Sequence, residues 1–282
     1  MRMGGDREAQ PPYITMGATR GRDGIFRGRR RLESGGGAGC GTHRSSCPQV
    51  VRGDVTGSSV MAHYRIRQFR EGDGEAVRDL FSSGIMEHAP AAFWHVATLP
   101  RTGLFLLAVS LALFVATGSP LLAFSAPAVL LAALRVFLKK PWGDYVENAL
   151  RTDLKDIRGS YLEADGCGFW VAESAGRVVG LVAARPVPDP SGGKQIELLR
   201  MSLGKDHRGR GIAQALVRTV LQFARDQGCD TVLLSTTCVQ YAAHRLYQAM
   251  GFRKMSEEIP LLSWRVIGLC VFNYSCPLPP SP

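Results

Sequence analysis

Between Thr102 and Leu134 the chain carries no charged residue, and the stretch is mostly Leu, Ala, Val and Phe. A helix in a water-soluble domain needs only one apolar stripe, so a run apolar on every face points to lipid rather than to a protein core. As one straight helix it would hold about 33 residues and reach roughly 50 Å, against a hydrocarbon thickness of about 30 Å. Thr117-Gly118-Ser119-Pro120 interrupts the run, leaving arms of about 15 and about 18 residues, each short or marginal for a full span. These lengths predict a hairpin that dips into a bilayer and returns, over residues 102–138. Arg101 flanks one end and Arg135, Lys139 and Lys140 the other, with Phe93, Trp94, Trp142 and Tyr145 at interfacial positions. Positive charge at both ends places both ends in the cytosol.

Ile196–Leu203 reads as a buried strand, Gly204-Lys205-Asp206-His207 breaks it, and Ile212, Leu216, Val217, Val220, Leu221 and Ala224 then recur at helical spacing. A strand, a glycine-bearing turn and a helix form a phosphate-holding geometry. The first helical amides have no partner inside the helix, and glycines let the backbone approach the ligand. The site is therefore expected to take a diphosphate. A P-loop needs Gly-x-x-x-x-Gly-Lys-Ser/Thr, which is absent, and a dinucleotide fingerprint needs a small residue where Gln214 stands.

What remains, Arg208-Gly209-Arg210-Gly211-Ile212-Ala213, resembles the acetyl-CoA loop (Arg/Gln-x-x-Gly-x-Gly/Ala) of the GCN5-related N-acetyltransferases. Past a further strand, Thr231–Ser235, the segment Ala243-x-x-Leu246-Tyr247-x-x-x-Gly251-Phe252 is similar to that superfamily's second signature. It is expected on a helix that ends at Gly251. The resemblance implies an α/β fold, a mixed central sheet flanked by helices, with acetyl-CoA as co-substrate and no metal. It also implies that the backbone around Met201, Ser202 and Leu203 holds the pantetheine arm and polarises the carbonyl. Arg208 and Arg210 would add charge for the phosphates, and Tyr247 would be the acid near the sulfur. Gln240 stands where the family usually has asparagine and would bind the same arm.

Glu197 is the candidate base. A carboxylate in an otherwise apolar strand has its charge disfavoured by burial, which lifts its pKa toward a useful range. It precedes Arg208 by the offset at which these acetyltransferases carry their catalytic glutamate. The alternatives for Glu197 are a solvent-facing side chain or a pair with Arg200.

Upstream, Tyr64–Phe69 alternates as a strand, and Asp73 can cap a helix through Ala76, Val77, Leu80 and Phe81. A second helix is expected over Asp144–Leu162. A hairpin follows, with strands Gly168–Glu173 and Arg177–Arg185 around the turn Ser174-Ala175-Gly176. An acetyltransferase fold with a membrane segment between its first two helices looks like the camello family of membrane-bound N-acetyltransferases. The likeness covers about Met61 to Ser275, with a Pro-rich tail over 276–282. It implies an endoplasmic reticulum membrane protein whose catalytic domain faces the cytosol. The acceptor would be a primary amine, in the first instance the α-amine of cysteine S-conjugates, with protein lysine as the alternative. Two other classes share some of these features: a non-catalytic acetyl-CoA-binding protein, and a membrane-shaping hairpin protein.

Residues 1–60 are rich in Gly, Arg and Ser and supply about +5 of the net charge of +10. They are expected to be a disordered extension, and Met61 opens the globular sequence. The cluster Arg27-Gly28-Arg29-Arg30-Arg31 has no aromatic interleaving and no recognition helix, so no nucleic-acid partner is expected. The seven cysteines, Cys40, Cys47, Cys167, Cys229, Cys238, Cys270 and Cys276, show no metal-ligand spacing. An odd number in a cytosol-facing chain is expected to stay reduced, and Cys238 is given no catalytic role. Asn273-Tyr274-Ser275 is a glycosylation triplet that is expected to go unused.

Overall fold

A computed structural model of the chain describes residues 64–189, 192–260 and 262–279. The basic extension, Met61, Cys40, Cys47 and the last residues of the Pro-rich tail lie outside the described residues. The elements follow in the order β1 (Tyr64–Gln68), α1 (Gly74–Met86), α2 (His88–Ala97), α3 (Pro100–Thr117), α4 (Pro120–Arg151), β2 (Gly168–Ser174) and β3 (Arg177–Pro188). After these come β4 (Lys194–Leu203), α5 (Ile212–Asp226), β5 (Thr231–Thr237), α6 (Tyr241–Ala249), β6 (Arg253–Glu258), α7 (Leu262–Ile267) and β7 (Val271–Pro277). The strands form one mixed sheet in the order β1-β2-β3-β4-β5-β7-β6. Among the described residues its one parallel pair joins β4 to β5.

Apolar periodicity decides which face each helix covers. The six residues at helical spacing in α5, Ile212, Leu216, Val217, Val220, Leu221 and Ala224, are all buried, and they pack with Val182, Ile196, Leu198, Val232 and Tyr247. On the opposite face, Val77 and Phe81 of α1 and Ala92 and Val96 of α2 join Leu138, Trp142, Val146 and Ala149 of α4 over Phe169, Val171 and Leu181. Leu138, Trp142, Val146 and Ala149 recur every three or four residues and form one stripe of α4.

The apolar run folds as two helices that turn back on each other at Gly118, whose φ of 66° lies in the left-handed region, with Pro120 opening the second helix. Both helices are long and apolar enough to cross a membrane by length and composition. No residue of α3 is buried, and Leu104, Phe105, Leu107, Leu111, Val115, Leu121, Phe124 and Val129 all stand exposed. About a dozen such side chains at roughly 2 kcal/mol each make on the order of 20 kcal/mol of apolar transfer free energy unrealised in water. A bilayer would recover it.

Two local expectations are corrected. Helix α4 does not start afresh near Asp144. It runs unbroken from Pro120 to Arg151, so the second apolar arm and the helix expected at Asp144–Leu162 share one rod, and Arg158–Leu162 forms a separate turn. At the break the Thr152 hydroxyl donates to the Asn148 carbonyl at 2.7 Å, and Asp153 turns inward to Arg200. Asp73 does not cap α1 with its side chain. Its carboxylate accepts from the Arg70 amide at 2.8 Å and pairs with the Arg67 guanidinium. Burial opposes ionisation of Asp73, yet the bonds from Arg67 and Arg70 outweigh it and hold the carboxyl below its ordinary range. Asn273 is buried in β7, where its Nδ2 donates to Ser256 Oγ at 3.0 Å and to Glu258 Oε1 at 2.7 Å. A glycan on that nitrogen is incompatible with this packing.

Candidate active site

The sheet opens where its chemistry would sit. Strands β4 and β5 pair only at Gln195, Ile196 and Glu197, and beyond Glu197 β5 continues alone against β7. On its other side β4 shifts register against β3 between Leu181 and Ala183, and Arg200 within the irregular stretch has φ 55°. A kinked strand cannot keep its ladder to both neighbours, so the two central strands diverge. The gap is a cavity of about 350 Å³ walled by β4 from Glu197 to Leu203, by Ser235–Thr237 of β5, and by residues of α1, α4, the loop before α5, and α6.

At one end lies the phosphate loop. Gly209 and Gly211 have φ of 74° and 78°, and Gly211 is the N-cap of α5 without a side-chain cap. A Cβ on Gly209 would meet nothing within 4 Å, and one on Gly211 only the Tyr64 hydroxyl at 4.0 Å. The first amides of α5, from Ile212 and Ala213, therefore face an open cradle without an intrahelical acceptor, and these residues fit a pyrophosphate. Arg210 is exposed beside it. Arg208 is engaged elsewhere: its guanidinium pairs with Glu87 at the end of α1, with Nη2 to Oε2 at 2.9 Å, and donates to the Leu203 carbonyl at 3.2 Å. It thus ties the loop to α1.

Where the two strands last pair, at the closed end of the gap, Glu197 is buried, at 3% exposure. Its partner is Arg185 of β3, not Arg200: Arg185 Nε donates to Glu197 Oε2 at 2.9 Å. Burial raises the Glu197 pKa, and the nearby Arg185 charge only partly offsets that rise. Tyr247 of α6 is buried on the other wall, with its hydroxyl 3.6 Å from Met201 Sδ of β4. Burial likewise pushes the Tyr247 hydroxyl up, so it keeps its proton. The structure thus brings Glu197, Met201, Ser202, Leu203, Arg208, Gly209, Ala213, Gln240 and Tyr247 onto one cavity. The Gln240 side-chain carbonyl accepts from the Thr236 hydroxyl and the Thr237 amide, so it braces the turn from β5 to α6. Buried Ser202 packs against α1, where a Cβ on Gly84 would come within 2.9 Å of its Oγ.

Sequence reasoning missed several cavity residues: Gly84 and His88 from α1 and α2, Trp142 and Tyr145 from α4, and Arg200 as a wall residue. A signal existed for Arg185 and Arg200. Each is a charge inside an apolar strand, the same anomaly that singles out Glu197. Cys238 accepts from the Cys270 amide at 3.3 Å and packs with the core, consistent with a structural role.

A model of the Acetyltransferase (GNAT) family matches residues 132–252. Rat N-acetyltransferase 8 is 51% identical over 223 residues, covering 78% of this chain and 100% of the relative. Rat N-acetyltransferase 8F1 is 50% identical over 220 residues, covering 78% of this chain and 99% of the relative. Mouse N-acetyltransferase 8 is 50% identical over 221 residues, covering 78% and 97%. With the split sheet, the glycine cradle and these relatives in agreement, the chain belongs to the N-acetyltransferase 8, or camello-like, family of GNAT enzymes and is an acetyl-CoA-dependent N-acetyltransferase.

Proposed function

We propose that this enzyme works at a membrane and moves the acetyl group of acetyl-CoA to the α-amine of cysteine S-conjugates. The observation that carries the reading is the continuity of α4. The helix that supplies Trp142 and Tyr145 to the cavity wall is the same rod that emerges as an exposed apolar arm. An acceptor with a large apolar S-substituent would partition into the interface beside that arm and find aromatic side chains leading toward Glu197. The bilayer-embedded part in this reading is 102–138, with the endoplasmic reticulum as its membrane and the catalytic domain in the cytosol.

The residue roles in this reading are those the family resemblance implies, with the geometry and residue chemistry in support. Bound acetyl-CoA supplies an activated acyl thioester. The α5 amides of Ile212 and Ala213, with Gly209, Gly211 and Arg210, hold its phosphates, while the backbone of Met201 to Leu203 and Gln240 flank the pantetheine arm. Glu197 takes the proton from the incoming amine, since a buried carboxylate of raised pKa is a stronger base than an exposed one. Tyr247, buried and protonated, supplies a proton to the departing thiolate. An α-amine has a pKa of about 8 and needs little help to become neutral, whereas a lysine amine at about 10.4 needs more.

Membranes containing the full chain, given acetyl-CoA, should acetylate S-benzyl-L-cysteine at least about 10-fold more efficiently than free cysteine, as expected for burying an aromatic substituent. Product mass and thiol release measure this directly. Equal efficiency for the two, or preference for a lysine peptide, contradicts the assignment.

A further inference from the structure

Arg200 carries more unfavourable features than its neighbours in the cavity wall. Among the described residues it shares a positive φ only with Ala175 and glycines, and its side chain is 9% exposed. Its Nε and Nη2 donate to the two oxygens of Asp153 at 2.9 and 2.8 Å, and Asp153 is held in turn by the Tyr161 hydroxyl. The guanidinium carbon lies 5.4 Å from the Phe81 ring centre and 5.2 Å from that of Tyr145. Nη1 is buried and has no hydrogen-bond partner among the described residues. A strained backbone, a buried cation and an unpaired donor at one residue are each unfavourable, by about 1–3 kcal/mol for the donor alone.

Asp153 occupies the Nε and Nη2 edge of a flat group, so Nη1 lies on the edge away from it. Arg200 and Glu197 line the same cavity. A ligand that would satisfy both has an amine for the carboxylate and an anionic oxygen for Nη1.

We propose that Arg200 Nη1 holds the α-carboxylate of the acceptor, making this residue the determinant that selects amino acids with a free carboxylate. The inference rests on the acceptor reading above and deepens it. The two rings keep water from the bond and the Asp153–Tyr161 bracket fixes its direction, conditions under which a charge-assisted bond is strong. A lysine side chain in a protein presents no free carboxylate next to its amine.

The test compares S-benzyl-L-cysteine with its carboxamide and with S-benzylcysteamine, at alkaline pH where each amine is largely neutral. For the wild-type enzyme, kcat/KM should fall roughly 10- to 100-fold when the carboxylate is removed, as expected for losing a hydrogen bond to a charged group. In Arg200→Lys, which keeps the charge but has no Nη1, the acid-to-amide ratio should collapse toward unity whatever happens to overall activity. A purely structural role would lower both substrates together and preserve the ratio, which overturns the proposal. Should Arg200→Lys fail to fold, the wild-type comparison decides alone: equal efficiency with and without the carboxylate overturns this inference while leaving the acceptor class standing. Turnover of a lysine peptide with none of any cysteine conjugate overturns the acceptor reading, and this inference with it.

Discussion

Gly211→Val is expected to lose at least about 100-fold in acetyl-CoA affinity, a little under 3 kcal/mol. Two effects act together. Gly211 has φ 78°, a conformation that a β-branched residue adopts only at a cost of about 1–3 kcal/mol, so the turn before α5 must rearrange. The side chain would also stand in the open cradle in front of the Ile212 and Ala213 amides, where the phosphates need to approach the backbone. Gly211→Ala should lose less, since its methyl is smaller although its backbone is strained in the same way. Calorimetric titration with acetyl-CoA, with a thermal melt as folding control, gives the readout. Wild-type affinity in a folded valine variant would remove the phosphate loop from the account.

Glu197→Gln is expected to lower turnover by about 10²- to 10⁴-fold, the usual range for a general base, with acetyl-CoA affinity close to wild type. The sign of the pH effect follows from the direction of the shift. Glu197 acts only when ionised, and burial raises its pKa, so wild-type kcat/KM should fall as pH drops through that raised value. The acidic limb should vanish in the glutamine variant. Arg185→Gln should move the limb to higher pH, because the Arg185 charge lowers the Glu197 pKa against the effect of burial. Tyr247→Phe should reduce turnover less and leave the acidic limb in place. A fully active Glu197→Gln enzyme with an unchanged limb would mean that water or the acceptor's own ionisation replaces the base.

The α5 helix was legible because its apolar residues follow one period and one face, and the sequence needs no tertiary information to show it. The hairpin turn was legible for a similar reason, since Gly118 and Pro120 are local breakers in a run without charge. What escaped depends on tertiary pairing. No local signal distinguishes Arg185 from Arg200 as the partner of Glu197, because the choice is made by the β3–β4 register that sets Arg185 opposite Glu197. Strands β6 and β7 were not anticipated: β7 forms through long-range antiparallel pairing with β5, and β6 pairs antiparallel with β7. The continuity of α4 was hidden by composition: the shift from apolar arm to charged helix near Lys139 and Lys140 looks like a boundary, yet the backbone passes through it, and Pro141 with it, as one helix. That continuity is also what joins the apolar arm to the cavity.

In the proposed arrangement the split-sheet acetyltransferase is held at the cytosolic face of a membrane by the α3–α4 hairpin. The direct test uses sealed, right-side-out microsomes bearing the full chain, supplied from outside with acetyl-CoA, which does not cross the bilayer, and with S-benzyl-L-cysteine. N-acetylated product is expected at full rate before detergent is added, abolished by Gly211→Val, with Asn273 free of glycan. Product that appears only after detergent opens the vesicles would contradict it.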